Sequence, residues 1–335
     1  MNLTLVPSEL LLLSPRSDTD PAFQELSLRL EPLVAPVPVR LIHGDGSGDP
    51  PPKPGAALVT GGQREALTML GSIGGEGWRW VHLTASGPDH LHDWPPLPGD
   101  PLLTYSRGVN ARSVAEWALG AILYFYRDLD LYTQASREAR WERRWARELS
   151  ESTLVVLGAG AAGSELAQLA SALGMRTLGV SLEAEPLPGF GLVVPPEEIG
   201  WVLGEGAVTV ILLPLTPDTR GSFGREQVDA LKEGSLLIVA SRGGIVDEEA
   251  VLAAVRSGHL RGAAFDVFAE EPLPTESPWW REPRILVTPH VAGTTNQFMA
   301  HTARVMETIW RAVFERGDPE ALAPYRYAPG EGRED

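Results

Sequence analysis

The chain contains no cysteine, only two lysines and no long uninterrupted apolar run in its 335 residues. Without cysteine it can form no disulfide, no thiol nucleophile and no zinc–thiolate site. The two lysines, Lys53 and Lys232, leave few candidates for a Schiff-base mechanism. No apolar segment approaches the roughly 18 to 20 residues that a membrane helix needs, and the first residues do not resemble a signal peptide. We therefore expect a cytoplasmic protein.

Positive charge is also scarce. The chain has 28 Lys and Arg against 44 Asp and Glu, which gives a formal net charge of −16. A field of that sign repels phosphate backbones and anionic membranes, so we expect neither a nucleic acid nor a membrane as a partner. Apolar residues at 43% and charged residues at 21% are ordinary for a globular protein. The length suggests two domains.

The first hundred residues carry short apolar runs between turns rich in proline and glycine. We predict strands at four of these runs, namely 4–6, 37–42, 57–60 and 80–84. The strongest break in the chain is the proline-rich segment 95–101, which indicates a nearby domain boundary.

After this break, apolar residues at helical spacing predict one long helix over 113–140. From residue 153 onward, near-continuous apolar runs predict strands at 153–157, 177–180, 208–213, 236–240, 263–267 and 285–288. Helical patterns separate several of these runs. This alternation is typical of a parallel sheet that is covered on both faces.

A G-x-G-x-x-G pattern, formed by Gly158, Gly160 and Gly163, lies between the first of these strands and a predicted helix. The first glycine permits a tight turn, the second lets backbone approach a pyrophosphate, and the third lets helix and strand pack closely. Ala161 and Ala162 lie in the first turn of the predicted helix, and their N–H groups can bind the anion. The pattern predicts a dinucleotide site, for NAD(H) or NADP(H).

The choice between the two cofactors depends on the end of the second strand, where an acid normally holds the ribose hydroxyls. Ser181 occupies this position. No arginine follows to hold a 2′-phosphate, and Glu183 and Glu185 lie close by in the sequence. These residues favour NAD(H) weakly.

Three polar segments begin at or beside the ends of predicted strands, where open α/β sheets bind ligands. They contain Arg242, Glu271 and His290, which we therefore expect to be neighbours. Arginine matches a carboxylate bidentately, and histidine changes its protonation near neutral pH. A glutamate beside the imidazole would orient the ring and favour its charged form. This set can donate a proton to a carbonyl oxygen.

These segments resemble the D-isomer-specific 2-hydroxyacid dehydrogenase family over most of residues 110–300. The similarity includes the segment 113–117, the glycine turn, the segment 213–220 and the sequences around Arg242, Glu271 and His290. The resemblance implies that Arg242 binds the substrate carboxylate and carbonyl, that His290 is the acid/base, and that Glu271 pairs with it. It implies reduction of a small 2-oxo acid to the D-2-hydroxy acid, or the reverse. Glyoxylate or hydroxypyruvate is the first substrate we expect.

The resemblance also assigns ligand contacts outside this set. Asp266 would contact the nicotinamide carboxamide, and the backbone N–H groups of Ser86 and Gly87 would hold the substrate carboxylate. His290 is counted with the cofactor contacts as well. The remaining cofactor contacts that it implies are Leu213, Pro214, Thr219, Ala240, Ser241 and Gly293.

The resemblance implies two Rossmann-like α/β domains with parallel sheets. The dinucleotide-binding domain would span 104–291, and a substrate domain, discontinuous in sequence, would combine 1–103 with 292–335. A helix-forming stretch at 297–316 would return the chain to this domain. A homodimer is implied, with contacts through the cofactor domain and the predicted helix 113–140.

A second hypothesis stays open: a non-catalytic protein that senses dinucleotides on the same fold. Ser181 and the thinner resemblance of the first hundred residues favour it, whereas the intact Arg242, Glu271 and His290 set argues for an enzyme. No histidine pair has the spacing of a metal site, so we expect no metal.

Overall fold

The computed structural model describes residues 6–14, 21–43, 54–60, 78–87, 101–318 and 320–327. The chain divides into two compact units, one of Met1–Val109 with Asn296–Asp335 and one of Asn110–Thr295. Each unit is built on a parallel sheet with helices, so the fold consists of two Rossmann-like α/β domains. The first is discontinuous in sequence, as predicted.

The first unit holds a five-stranded parallel sheet in the order β2-β1-β3-β4-β5. Its N-terminal elements are β1 (Leu10–Ser14), α1 (Pro21–Val34), β2 (Val39–His43), β3 (Ala57–Thr60), β4 (Trp80–Leu83) and β5 (Leu102–Tyr105). Three of the four predicted strands are confirmed as β2, β3 and β4. In the fourth, 4–6, the first two residues lie outside the described residues and Val6 is not in a strand.

The second unit holds a seven-stranded parallel sheet in the order β12-β11-β10-β9-β6-β7-β8. Its strands are β6 (Thr153–Leu157), β7 (Arg176–Val180), β8 (Leu192–Val194), β9 (Val208–Ile211), β10 (Ser235–Val239), β11 (Leu260–Phe265) and β12 (Ile285–Val287). Its helices are α2 (Ala111–Tyr126), α3 (Leu129–Arg137), α4 (Ala161–Ala172), α5 (Ile199–Glu205), α6 (Arg225–Asp229) and α7 (Glu248–Ser257). All six strands predicted for this region are confirmed, and β8 is an addition.

The chain then returns to the first unit through α8 (Phe298–Trp310), as the stretch 297–316 predicted. This helix packs with α1 on one face of the five-stranded sheet, where Met306, Ile309 and Trp310 join the core. Within the described part of the chain, no helix is both long and apolar enough to cross a membrane.

Both sheets are buried on both faces, as the near-continuous apolar runs predict. Side chains alternate along a strand. On β1, Leu10 and Leu12 pack on one side, and Leu11 and Leu13 on the other. The seven-stranded sheet has the same pattern on β6 and β10. Because neither face of such a strand meets solvent, side chains that contact a ligand are expected at the strand ends.

The single long helix predicted over 113–140 is wrong. The structure has α2 and α3 instead, separated by Arg127 and Asp128. Asp128 has a φ of 52°, in the left-handed region, which ends the first helix and turns the chain. The apolar pattern continues across the break, so periodicity alone does not reveal it.

A buried ion pair fixes α3 to the sheet. Asp130, whose side chain is 1% exposed, accepts hydrogen bonds from both terminal nitrogens of Arg261 on β11, at 2.8 and 3.1 Å. Asp128 accepts a third, at 3.2 Å. The guanidinium also lies 5.8 Å from the centroid of the Phe125 ring. Arg261 therefore joins both helices to the central sheet.

We predict that Asp130→Ala lowers the free energy of unfolding by about 2–3 kcal/mol, because it leaves the largely buried guanidinium of Arg261 with Asp128 as its remaining carboxylate partner. The measurement is chemical unfolding followed by circular dichroism. The matched control is Glu116→Ala, which breaks the solvent-exposed pair with Arg112 and should leave the midpoint nearly unchanged. Equal midpoints for the two variants would contradict the prediction.

Candidate active site

Three predicted site residues follow neighbouring strands of the seven-stranded sheet. Arg242 comes after β10, Asp266 after β11 and His290 after β12, and these strands are adjacent and parallel. Since the carboxyl ends of parallel strands meet at one edge of a sheet, all three lie at the same edge. The glycine turn after β6 and Ser181 after β7 lie at this edge too.

The structure brings His290 and Glu271 together. The His290 Nδ1 lies 2.8 Å from the Glu271 Oε2. The other carboxylate oxygen of Glu271 accepts the Phe268 N–H at 3.0 Å, which fixes the carboxylate. Both side chains remain partly exposed, at 47% and 37%. With Nδ1 donating to the carboxylate, the imidazole presents Nε2 to a ligand.

His290 has an unusual backbone conformation, with a φ of 54°. Left-handed conformations are costly for a residue with a side chain and persist where the surroundings impose them. Here the His290 N–H donates to the Asp266 carbonyl at 2.7 Å. The Asp266 carboxylate holds the next residues, accepting the Val291 N–H at 2.9 Å and the Ala292 N–H at 2.8 Å.

The buried Asp266 carboxylate also accepts the hydroxyl of Thr288. It thus binds the chain on both sides of His290, a role that sequence reasoning missed. These three hydrogen bonds use three of the roughly four acceptor positions of a carboxylate. The predicted contact of Asp266 with a carboxamide is compatible with this arrangement and stays a prediction.

Arg242 lies in the loop after β10 and is partly buried. Its Nη1 donates to the Ser241 carbonyl at 2.8 Å. The next residue, Gly243, lies so close to the Phe268 carbonyl that a side chain would collide with it. Gly243 therefore lets the arginine loop pack against the loop that carries Glu271.

Glu248 is a second carboxylate near this loop that the sequence did not single out. It begins α7, and its Oε1 accepts the Ala269 N–H at 2.7 Å. Burial raises the pKa of Glu248, and the charges of Glu271 and Asp247 raise it further. An acid in the first turn of a helix is ordinary, so the sequence carried no signal for this contact.

The glycine turn fits a dinucleotide pyrophosphate. Gly158 has a φ of +97°, and a Cβ there would lie 2.7 Å from the Leu212 carbonyl. At Gly163 a Cβ would lie 2.5 Å from the Gly158 oxygen. At Gly160, the N-cap of α4, no described atom lies within 4 Å of an added Cβ. The turn is thus tight at its first and third glycines and open at its second, where a phosphate would approach.

The hydroxyl of Ser241 adds an observation at the same edge. It is buried and has no hydrogen-bond partner among the described residues. A buried hydroxyl without a partner is costly and suits a site that a ligand completes. The residues therefore fit a nicotinamide dinucleotide.

The other predicted cofactor residues occupy loops at this edge. Leu213 and Pro214 lie in the loop after β9, and Ala240 directly follows β10. The Thr219 hydroxyl is used inside its own loop, where it bonds the Thr216 N–H. Gly293 packs against the Asn110 side chain. Their contacts with a cofactor stay predictions, as do those of Ala161, Ala162 and Ser181.

The predicted substrate loop belongs to the first unit. Ser86 and Gly87 follow β4 and are partly exposed. Among the described residues, no group of three His, Asp or Glu side chains could hold a metal ion.

One edge of the seven-stranded sheet thus holds both the His290–Glu271 pair and a glycine turn that fits a dinucleotide. The model of the D-isomer specific 2-hydroxyacid dehydrogenase NAD-binding domain matches residues 119–292, more than half of the chain. The chain belongs to this family and is an NAD(P)-dependent oxidoreductase acting on 2-hydroxy acids.

Among curated relatives, a protein from Escherichia fergusonii named glyoxylate/hydroxypyruvate reductase A is 33% identical over 222 residues. The match covers 66% of this chain and 70% of the relative. A relative of the same name from Salmonella newport is 34% identical over 206 residues, and this match spans only 64% of its length.

Solved structures support the fold over nearly the whole chain. A D-isomer specific 2-hydroxyacid dehydrogenase from Xanthobacter autotrophicus, in complex with NADPH and MES, superimposes with a TM-score of 0.81 at 30% identity. It covers 97% of this chain and 99% of that one. An NADPH-dependent glyoxylate/hydroxypyruvate reductase from Sinorhizobium meliloti, with NADP and sulfate, gives 0.77 at 26% identity, covering 95% and 100%.

Proposed function

We propose that this enzyme interconverts a small 2-oxo acid and its D-2-hydroxy acid, with glyoxylate or hydroxypyruvate as the first substrates to test. The observation that carries the proposal is the 2.8 Å contact between His290 Nδ1 and Glu271 Oε2 at the carboxyl edge of the sheet. The relatives named for reduction of these acids support the choice of substrate.

In the reduction, the substrate carbonyl gains a hydride at carbon and a proton at oxygen. The bound dihydronicotinamide supplies the hydride. His290 donates the proton from Nε2, and Glu271 orients the ring through its contact with Nδ1. Arg242 binds the substrate carboxylate and stabilises the negative charge that develops on the carbonyl oxygen. The reverse reaction uses neutral His290 as the base.

The substrate carboxylate has a second proposed partner in the backbone N–H groups of Ser86 and Gly87. Pro88 has no N–H and cannot add a third donor. This assignment makes Met1–Val109 with Asn296–Asp335 the substrate domain and Asn110–Thr295 the dinucleotide domain. A cytoplasmic location also stays a prediction, and composition is its basis.

We predict that Arg242→Ala lowers kcat/KM for the oxo acid by roughly 10²- to 10³-fold, since it removes a donor to the developing oxyanion. His290→Ala should lower kcat by roughly 10²- to 10⁴-fold, because it removes the proposed proton donor. Both are measured from the absorbance of the reduced nicotinamide, with glyoxylate, hydroxypyruvate, pyruvate and bulkier 2-oxo acids.

The matched control is Arg256→Ala, which removes an exposed arginine at the end of α7, at the opposite edge of the sheet. It should leave the rate unchanged. Dinucleotide binding, measured by fluorescence titration, should persist in all three variants. Wild-type activity in Arg242→Ala would refute the assignment. Tight dinucleotide binding without turnover of any acid in the wild type would favour the sensor hypothesis.

For the cofactor, we propose a preference for NAD(H) from this chain's own residues. Residues 181–191 contain two glutamates and neither lysine nor arginine, so they offer no cation to a 2′-phosphate. The nucleotide-bound neighbours hold NADP or NADPH, which gives this preference no support. The proposal therefore rests on the loop after β7 alone.

Leu182, which is 87% exposed beside Ser181, offers a direct test. Leu182→Arg should raise the ratio of kcat/KM with NADPH to that with NADH by roughly ten- to a hundredfold, because a charge-assisted hydrogen bond contributes roughly 1.5–3 kcal/mol. Leu182→Gln, of similar length and uncharged, is the control and should leave the ratio nearly unchanged. An unaltered ratio in Leu182→Arg would place the adenosine ribose elsewhere.

We further propose that the enzyme is a homodimer whose interface includes the segment 138–148 after α3. Trp141 is 95% exposed and Trp145 fully exposed on this segment. Two large rings in solvent mark an interaction surface. The segment is held in place, since the Tyr132 hydroxyl accepts the Arg144 N–H at 3.0 Å and the Arg147 N–H reaches the Tyr126 carbonyl.

Replacing both rings, in Trp141→Ser/Trp145→Ser, should convert a dimer into a monomer in light scattering after size-exclusion chromatography, because it removes the apolar area that the partner would cover. Trp201→Ser removes a partly exposed ring on α5 and should leave the dimer intact. A monomeric wild-type protein at micromolar concentration would contradict the proposal.

A further inference from the structure

A buried polar network lies beneath the predicted substrate loop. His82 on β4 is fully buried, with its Nδ1 at 2.8 Å from the Thr104 Oγ1 and its Nε2 at 2.9 Å from the Ser106 Oγ. The Trp80 indole N–H also donates to the Thr104 hydroxyl, at 2.7 Å. Both ring nitrogens of His82 are therefore satisfied, which a buried imidazole requires.

The imidazole of His82 is uncharged. Burial lowers the pKa of His82 to about 3, so the ring stays neutral over the pH range in which an enzyme is assayed. In a neutral imidazole one nitrogen donates and the other accepts. The hydrogen bond between His82 and Ser106 is therefore a constant feature of the fold and not a pH switch.

Ser106 connects this network to the loop. Its backbone N–H lies 2.9 Å from the Leu83 carbonyl and 3.0 Å from the Ala85 carbonyl. Leu83 ends β4, and Ala85 begins the loop that contains Ser86. His82 thus holds the side chain of Ser106, and the backbone N–H of Ser106 in turn holds the Ala85 carbonyl in the loop.

The geometry of the peptide unit extends this restraint to Ser86. The Ala85 carbonyl and the Ser86 N–H belong to one peptide unit, and that bond is not among the cis bonds of the chain. In a trans peptide the C=O and N–H point in opposite directions. Fixing the carbonyl toward Ser106 therefore aims the Ser86 N–H away from it.

We propose that His82 is a positioning residue which, through Ser106, aims the backbone N–H of Ser86 at the substrate carboxylate. The inference rests on the proposed role of Ser86 in binding that carboxylate. His82 itself does not touch the substrate, because it is buried behind the strand end.

The test compares two substitutions that each remove one hydroxyl partner of His82. Ser106→Ala breaks the path to the loop, whereas Thr104→Val breaks the contact on the other side of the ring. Ser106→Ala should raise KM for the oxo acid about five- to tenfold and leave kcat within twofold, because a carboxylate contact acts equally on substrate and transition state. Thr104→Val should change KM less than twofold.

A third variant, His82→Leu, completes a double-mutant cycle with Ser106→Ala. If the two substitutions remove the same hydrogen bond, the KM of the double variant should not exceed the higher KM of the two single variants. The affinity for the dinucleotide, measured by fluorescence titration, should stay unchanged in all variants. Thermal unfolding reports their stability separately from KM.

Several results would overturn the inference. One is a wild-type KM in Ser106→Ala; another is an equal rise of KM in Thr104→Val, which would indicate a general loss of structure. If His82→Leu does not fold, the comparison of KM between Ser106→Ala and Thr104→Val still tests the proposal. Absence of turnover in the wild type would refute the proposed function. An active wild type with an unchanged KM in the variants would refute only the role of His82.

Discussion

The carboxylate of Asp266 is buried at the end of β11, and three groups of the segment after β12 converge on it. The Thr288 hydroxyl binds before His290, and the N–H groups of Val291 and Ala292 bind after it. His290 is thus held between two fixed points in a left-handed conformation. Because a residue seldom adopts this conformation unaided, the direction of the imidazole depends on Asp266 as much as on Glu271.

The parallel sheets explain why this anchoring occurs at strand ends. Strands buried on both faces are mostly apolar along their length, and a polar side chain there needs a partner inside the protein, so carboxylates and imidazoles that must meet a ligand lie where a strand stops. The seven-stranded sheet brings three such ends together at β10, β11 and β12. Gly243 lets the loop after β10 press against Phe268, so the loops that carry Arg242 and Glu271 support each other.

Much of this arrangement was predictable from the sequence, because apolar runs and glycine spacing are local signals. The strands of the second unit follow from the apolar runs, and the positions of Glu271 and His290 near strand ends predict that they are neighbours. Their pairing was implied by the family resemblance. The break at Asp128 does not, since the apolar stripe passes through it and a single left-handed residue makes the turn. Strands β1 and β5 were missed as well, because short apolar runs beside loops carry little periodicity.

The contacts that hold the site were harder to predict than the site itself. The roles of Asp266, Glu248 and His82 depend on which backbone N–H or hydroxyl each side chain meets across the fold. Sequence separation hides these partners: Glu248 binds Ala269, and His82 binds Ser106, which directly follows the neighbouring strand β5. A motif identifies a reacting group, but its orientation comes from residues whose types are ordinary for their elements.

The charge of the chain adds a last constraint. With a formal net charge of −16, the protein as a whole repels the anionic carboxylates and phosphates that its proposed ligands carry. In the proposed function, attraction comes from short-range donors, namely the N–H groups at the start of α4, the guanidinium of Arg242 and the backbone of Ser86. Backbone dipoles lose effect rapidly when they are misdirected. Each donor therefore needs rigid support from the residues behind it. For the proposed donor Ser86, the buried His82 gives this support through Ser106, and it does so without adding a charge.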